Sequence, residues 1–463
     1  MATATLQSLP NEVVDLIFAQ DIFADEQPGK ASVASYRLCC KATCEQSDPR
    51  ALSIKASCAR SLIGSALMGN ARGGLRTLKI AWSSESTAEK HTQQCTDLVH
   101  LVVQHRAKFE KVTHLELVGC EGELMSLTGV LPCVMPELTH LKAVDCKLAG
   151  RMECMLAINR LTKLRSLECS STGKRLEVEI PDDWDAYNRQ DYMQLSIQNN
   201  DVTIEIPNAL HVDALKLVDC HVYVRDFTNE MFRNTLFGAR VVEIVRASFQ
   251  YLLDYEIIAE RETIPMESLH IENAYDFVKY LIDHPFVLRG VRSAVFHEDE
   301  DEDDDRDELC MGVLWAYAAP TLRELTLRGQ YFNYDDPYMQ QLSQLVSLKW
   351  YVTLGTVYRT EYGLLAENMD GMYSLQRLEL VVVTSLADDV DFTGEFATWN
   401  LDDLHDFDLD DDLDLDDVED RDFRKNILLI CKAMPSLNHL TLSVCNSFGK
   451  EGVVYQTLHC GPL

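Results

Sequence analysis

The sequence predicts an α/β solenoid, a curved parallel sheet with helices on its outer side, built from one strand–helix unit used many times. Three observations predict it. A phrase of the form apolar-x-x-apolar-x-apolar recurs along the chain. Its copies follow one another at similar spacings. The residues between copies carry helical period in places, as at Leu98, Leu101, Val102, His105 and Phe109. Self-similarity at a fixed period sets the architecture before any local assignment is made.

The phrase is sharpest where a Cys follows three places after its last apolar residue. It reads Val112-Thr-His-Leu115-Glu-Leu117-Val-Gly-Cys120, then Leu138-Thr-His-Leu141-Lys-Ala143-Val-Asp-Cys146. It returns as Val212-Asp-Ala-Leu215-Lys-Leu217-Val-Asp-Cys220 and as Leu437-Asn-His-Leu440-Thr-Leu442-Ser-Val-Cys445. Weaker copies start at Leu75, Leu164, Tyr192, Met266, Leu322, Leu345 and Leu375. The starts at 112, 138, 164, 192 and 212 are 26, 26, 28 and 20 residues apart. Those at 322, 345 and 375 are 23 and 30 apart.

Within each copy the residues alternate across a short strand. Leu115 and Leu117 point to one face, His114 and Glu116 to the other. A single unit of this kind cannot bury its own apolar face, but stacked units share one core. A Cys behind the strand packs as a small apolar group with a weak donor. Residues 176–211 break the rhythm. Leu176-Glu-Val178-Glu-Ile180-Pro181 and Val202-Thr-Ile204-Glu-Ile206-Pro207 read as extra strands stopped by proline. Near Val241 and Val291 the phrase is degenerate. The competing reading is an ordinary α/β domain in which the matches fall by chance.

Pattern and period together resemble the leucine-rich repeat, L-x-x-L-x-L-x-x-N/C-x-L, in its Cys-bearing variant. The resemblance covers most of residues 75–445.

The formal net charge of -32 is concentrated. Residues 298–308 hold ten acids and Arg306, and residues 401–422 hold thirteen acids and Arg421. Without these two runs the charge is -11. Like-charge runs repel themselves, so both read as acidic inserts protruding from the solenoid, one of them inside the 62-residue step from Leu375 to Leu437. Repulsion from phosphates argues against direct nucleic-acid binding. No run approaches the roughly 18 apolar residues of a membrane span. Pro10, Glu12 and Asp15 break any signal-peptide pattern. The expectation is an intracellular chain, in the cytosol or nucleus, whose 15 cysteines are reduced thiols.

Residues 6–44 lie outside the repeat. Leu9-Pro10-Asn11-Glu12-Val13-Val14-Asp15-Leu16-Ile17-Phe18 reads as a helix start, with Pro10 in the first position and Glu12 near the positive end of the dipole. Val13, Leu16 and Ile17 form an apolar stripe. Pro28-Gly29 marks a turn. A second helical stretch covers Ser32–Lys41, and Asp48-Pro49 opens a third. This segment resembles an F-box. Leu9, Pro10 and Glu12 match the family's opening, Leu16 and Ile17 its aliphatic pair, and Arg37, Leu38, Cys39 and Lys41 its closing phrase. An amphipathic cap over the first repeat is the structural alternative. The expected domains are an all-α F-box over 1–48, a helical linker or cap over 49–74, and the repeats over 75–463.

An F-box before leucine-rich repeats resembles the substrate receptors of cullin-type ubiquitin ligases. The resemblance implies that Leu9, Pro10, Glu12, Val13, Leu16, Ile17 and Leu38 bind a Skp-type adaptor, by helix-in-groove anchoring. It implies a non-catalytic chain, monomeric within the complex, that works by holding an unknown protein substrate near enzymes that others supply. The exposed strand positions would take that target: His114, Glu116, His140, Lys142, Lys216, His270, Glu272, Glu324, Arg328, Arg377, Glu379 and His439. Their mixed signs point to specific pairing, with only a few hot spots among them. Two other readings stay open: a repeat scaffold without a ligase link, and an acidic binder of basic proteins that works through its two runs.

Enzyme signatures are absent from the sequence. It has no G-x-x-x-x-G-K-[ST], G-x-G-x-x-G, G-x-S-x-G or H-E-x-x-H. Gly69–Gly74 lacks the P-loop lysine. Cys40, Cys44 and Cys58 lack a second tight pair for zinc. The Asp406, Asp408, Asp410 run lacks the Gly and Glu of a calcium loop. No cofactor or metal is expected.

Overall fold

The computed structural model describes residues 51–58, 75–147, 154–180, 194–206, 212–226, 239–250, 266–297, 312–328, 341–353, 371–384, 434–446 and 454–459, apart from isolated positions within these spans. The adaptor-site candidates Leu9, Pro10, Glu12, Val13, Leu16, Ile17 and Leu38 lie outside the described residues, as do both acidic runs. The chain divides into two compact units: Met1–Ala239 with Ala247–Ile258, and Arg240–Arg246 with Ala259–Leu463.

Nineteen strands are described. They are β1 (Ala51–Lys55), β2 (Thr77–Ala81), β3 (His114–Val118), β4 (His140–Val144), β5 (Ser166–Ser170), β6 (Glu177–Ile180), β7 (Gln194–Gln198), β8 (Asp201–Ile206), β9 (Ala214–Val218) and β10 (His221–Asp226). After them come β11 (Val241–Val245), β12 (Ser248–Gln250), β13 (Ser268–Glu272), β14 (Ser293–His297), β15 (Glu324–Arg328), β16 (Ser347–Thr353), β17 (Arg377–Thr384), β18 (His439–Asn446) and β19 (Val454–His459).

In the first unit β1, β2, β3, β4, β5, β7 and β9 form a parallel sheet in that order. In the second, β11, β13, β14, β15, β16, β17 and β18 do the same, and β19 closes the edge antiparallel. Each is a stack in which one strand-bearing unit repeats. Neighbouring strands pair without stagger, so equivalent positions of successive copies stand side by side. The phrase itself causes this. Its last two apolar residues alternate inward, as in Leu115/Leu117, Leu141/Ala143 and Leu195/Ile197, all at most 2% exposed. Each such Leu or Ile stabilises the stack by roughly 1.5–3 kcal/mol. The first apolar residue closes the turn before the strand. Val112 N–H donates to the Phe109 carbonyl at 2.9 Å, Leu138 to Met135 at 3.1 Å, and Leu345 to Leu342 at 3.0 Å.

A left-handed residue ends many of the strands. Gly119, Asp145, Asn199 and Asp219 follow β3, β4, β7 and β9, and Arg246 and Asn273 follow β11 and β13, all with φ between 47° and 74°. Gly, Asn and Asp tolerate this region best. The turn aims the backbone N–H of Asp145 at the Ser170 carbonyl, 2.8 Å away on the next repeat.

The next position is the Cys slot. Cys120, Cys146 and Cys220 are buried there. The Cys146 thiol donates to the Val144 carbonyl at 3.3 Å, and that of Cys220 to Val218 at 3.2 Å. In the Tyr192 copy the slot holds Asn200. Its amide donates to the carbonyls of Gln198 at 2.7 Å and Cys169 at 3.3 Å, and its oxygen accepts from the Ser171 hydroxyl at 2.9 Å.

Among the described residues five α-helices are complete enough to place. In the first unit α1 (Ala88–Gln104) buries His91, Cys95, Leu98, Leu101 and Val102, α2 (Arg106–Phe109) buries Phe109, and α3 (Met125–Val134) buries Leu127, Leu131 and Val134. Against α1 the turn after β3 comes very close. A Cβ at Gly122 would lie 2.4 Å from the Thr92 nitrogen and 2.8 Å from the Ala88 oxygen. His91 ties the same turn down: its Nδ1 accepts the Glu121 N–H at 3.2 Å, so its Nε2 donates to the Ser83 carbonyl at 3.0 Å. In the second unit α4 (Tyr275–Asp283) and α5 (Gly312–Ala318) pack over the sheet, with Trp315 edge-on to Phe296 at 5.6 Å.

Two expectations need correction. Past Asp48-Pro49 the chain is not helical throughout: Ala51–Lys55 is strand β1, paired to β2 from Ala51↔Thr77 to Lys55↔Ala81. Leu52 and Ile54 supply the strand alternation, and the open edge of β2 supplies the hydrogen bonds. Nor is the outer layer helical throughout. The proline-stopped segments form β6 and β8, which join β10 and β12 in a second parallel sheet, ordered β12-β10-β8-β6. Alternating Val, Ile and Thr with little helical period makes a strand the cheaper outer element there. The degenerate copies near Val241 and Val291 are full strands, β11 and β14. Among the described residues no helix is long and apolar enough to cross a membrane.

Candidate protein-binding face

The unstaggered register turns the outward strand positions into rows. Three rows run across each sheet, from the first, third and fifth residues of the strands, with Ala214, Val218, Val245 and Val381 the buried exceptions among them. In the first unit the first row reads Thr77, His114, His140, Ser166, Gln194. The third row reads Lys79, Glu116, Lys142, Glu168, Ser196, Lys216. The fifth begins Ala81, Val118, Val144.

Charge alternates along the third row, and neighbours pair. Lys79 lies 3.3 Å from Glu116, and Lys142 is bonded to Glu168 at 2.5 Å. Both pairs are partly exposed, so each contributes at most about 1 kcal/mol and weakens with salt.

In the first row the imidazoles of His114 and His140 stack, with centroids 4.2 Å apart and planes 4° from parallel. Each Nδ1 sits against the hydroxyl of the preceding Thr, at 2.9 Å for Thr113 and 2.8 Å for Thr139. Burial, and then the charge of His140, lower the pKa of His114 below its ordinary value.

The second unit carries a mixed belt. Glu272 accepts from Arg246 at 2.8 Å and lies 3.8 Å from His297 on the next strand. Arg328 and Lys349 sit 5.3 Å and 5.4 Å from the centre of the Tyr351 ring. Lys349 also pairs with Glu379 at 2.9 Å. Burial acts to lower the Lys349 pKa, but the bond and charge of Glu379, with Tyr351, outweigh it and hold the ammonium above its ordinary value.

The twelve expected target-facing residues all fall on these rows. His114, His140, Glu324, Arg377 and His439 take first positions. Glu116, Lys142, Lys216, His270 and Glu379 take third positions, and Glu272 and Arg328 fifth. The structure brings together His114 with His140, and gives Glu116, Lys142, Glu272, Arg328 and Glu379 neighbours that sequence reasoning did not name: Lys79, Glu168, Arg246, Tyr351 and Lys349. Lys79, Glu168 and Lys349 were findable, since they hold the third strand position in the weaker copies that start at Leu75, Leu164 and Leu345.

No protein-family model matches the chain, and no curated protein matches it. A solved structure that resembles it is the crystal structure of a TLR13–ssRNA13 complex, at 14% identity and a TM-score of 0.32. The match covers 76% of this chain and 61% of that one, so the chain spans less than two thirds of its neighbour's length. A likeness this loose says nothing about what this chain binds.

Proposed function

We propose that the chain is a protein-binding scaffold that recognises a partner along its outward strand rows, and that it serves as a non-catalytic substrate receptor of a cullin-type ubiquitin ligase. One observation carries the scaffold reading. The polar side chains of successive repeats stand in aligned rows, preorganised by pairing with each other, and such rigid presentation lowers the ordering cost of association. The ligase reading rests on the resemblance of Leu9–Lys41 to an F-box. On it, the N-terminal helices dock a Skp-type adaptor and through it a cullin, inside the cell, while the rows hold the substrate.

The test is a pull-down of adaptor and cullin with three proteins: the full chain, a chain lacking residues 1–45, and a Leu9→Asp/Leu16→Asp double variant that would bury charge in the proposed groove. The expected result is capture by the full chain alone, with both variants folded by circular dichroism. No capture by the full chain refutes the ligase reading and leaves the scaffold. Removing residues 298–308 and 401–422 should leave adaptor capture intact. If that deletion instead abolishes binding to basic proteins such as histones, the acidic runs carry the function.

A further inference from the structure

Among the described copies, the Cys slot behind β3 is engaged differently from the others. In later copies the slot thiol turns back on its own strand: Cys146 donates to the Val144 carbonyl at 3.3 Å and Cys220 to that of Val218 at 3.2 Å. Cys120 instead faces a second thiol. Its sulfur lies 3.6 Å from that of Cys95 on α1, and 3.8 Å from the Gly122 carbonyl oxygen. Both cysteines are 0% exposed. Packing asks for one small apolar group in the slot; it does not ask for sulfur on both sides of the seam.

The separation is that of two reduced thiols in contact. A disulfide needs about 2.0 Å, so each sulfur has to move by under about 1 Å, within reach of χ1 rotation. The elements it would join are held across this seam by hydrogen bonds, Glu121 N–H to His91 Nδ1 at 3.2 Å and Glu123 N–H to Thr92 Oγ1 at 3.0 Å. The two cysteines are 25 residues apart, one on the helix and one on the turn. A covalent link that closes such a loop restricts the states in which helix and turn separate.

We propose that Cys95 and Cys120 form a redox-sensitive staple: a hydroperoxide oxidises the pair to a disulfide that locks α1 onto the turn after β3, and a small thiol releases it. One thiolate attacks a peroxide oxygen and breaks the O–O bond, which gives a sulfenic acid and hydroxide. The second thiolate attacks that sulfur, forms the S–S bond and expels the sulfenic oxygen as hydroxide. The two thiol protons convert both hydroxides to water. The sulfurs lose two electrons and the peroxide oxygens gain them. Two equivalents of a small thiol reverse the step by exchange and become a disulfide themselves. The bond to Cys95, and then burial, hold the Cys120 thiol above its ordinary pKa, so the closed pair is inert. Attack begins when α1 lifts, and reclosing brings the second thiol onto the sulfenic sulfur before oxidation goes further.

The test uses the full chain alone, so its outcome is independent of the ligase reading. The reduced chain is treated with hydrogen peroxide, alkylated in denaturant, digested without reductant and mapped by mass spectrometry. The expected product is a peptide pair joined through Cys95 and Cys120, lighter than the two thiol peptides by two hydrogen atoms and lost on adding dithiothreitol. In the oxidised chain, amide exchange over Ala88–Gln104 should slow about tenfold or more and recover with dithiothreitol. Cys95→Ala and Cys120→Ala should each abolish both changes, and Cys146→Ala should keep them. The joined peptide is read in the unaltered chain, so the test stands even where an alanine variant fails to fold. Both thiols still alkylated when the exposed Cys133 is oxidised, either one joined to a third cysteine, or a Cys95–Cys120 bond that leaves α1 exchange unchanged would overturn the proposal.

Discussion

Gly122→Ala is expected to loosen helix α1 without touching the sheet face. The added Cβ would meet the Thr92 nitrogen at 2.4 Å, and the Ala88 oxygen and His91 carbonyl carbon at 2.8 Å. All three are backbone atoms, so no side-chain rotation relieves the contact. Overpacking costs about 1–3 kcal/mol, and a backbone clash belongs at the upper end. Two hydrogen bonds across the same seam are strained with it, Glu123 N–H to Thr92 Oγ1 at 3.0 Å and Glu121 N–H to His91 Nδ1 at 3.2 Å. A loss of about 3 kcal/mol raises the open population roughly 100-fold. The control is Gly129→Ala. Gly129 lies inside α3, and a Cβ there meets nothing within 4 Å. Replacing a helical Gly should then stabilise by up to about 1 kcal/mol. The assay is hydrogen exchange by mass spectrometry on the full chain, because a two-unit chain need not unfold in one step. Gly122→Ala should speed exchange over Ala88–Gln104, and Gly129→Ala should slow it over Met125–Val134. Equal behaviour of the two variants, or unchanged exchange in α1, would refute the packing argument.

Asn200→Ala removes the amide's bonds to the Cys169 and Gln198 carbonyls and takes the acceptor from the buried Ser171 hydroxyl, and should cost about 1–3 kcal/mol, whereas Asn200→Cys, which restores the residue that other copies use, should cost less; denaturant midpoints decide, and the reverse order sinks the slot equivalence. Native alkylation at pH 8 should mark Cys133, which is exposed, and spare Cys146 and Cys169, whose thiols burial pushes up to about 12; labelling of either buried thiol before Cys133 would contradict it. The lowered pKa of His114 means the folded chain binds fewer protons there than the unfolded one. Its stabilising share is present above the ordinary 6.5 and lost as pH falls through the folded value, so His114→Gln should flatten the acid side of a urea-midpoint profile. A steeper acid loss in that variant would reverse the sign.

The repeat made most of the sheet legible before any coordinates, because its information is redundant: Leu115/Leu117 and Leu141/Ala143 state the same burial pattern 26 residues apart. The outer layer has no such redundancy. The stretches at Glu177–Ile180 and Asp201–Ile206 sit where α1 and α3 sit in earlier copies, yet they become strands. Alternation in a short apolar run was readable there, while its pairing partners β10 and β12 were not. Local propensity names an element, and long-range register decides what it joins.

The face residues show the same division. Which side chains point outward follows from phase alone, so the twelve expected positions all lie on the rows. Which of them touch follows only once the copies are known to stack without stagger. Lys142 reads as an isolated cation in its own copy, and Glu168 as an isolated acid in a weaker one; placed in register they are one ion pair. The Thr139 hydroxyl also bridges two copies, lying 2.8 Å from His140 Nδ1 in its own and 2.9 Å from the Thr113 carbonyl oxygen in the one before. In a stacked repeat the chemically relevant neighbour is one period away, at 26 residues here, and a scan for motifs within a short window passes over it. Writing even the weak copies in phase brings such neighbours into view, and the His114–His140 pair is the clearest case: two identical dipeptides with no special meaning singly become one stacked imidazole pair when the sheet sets them side by side.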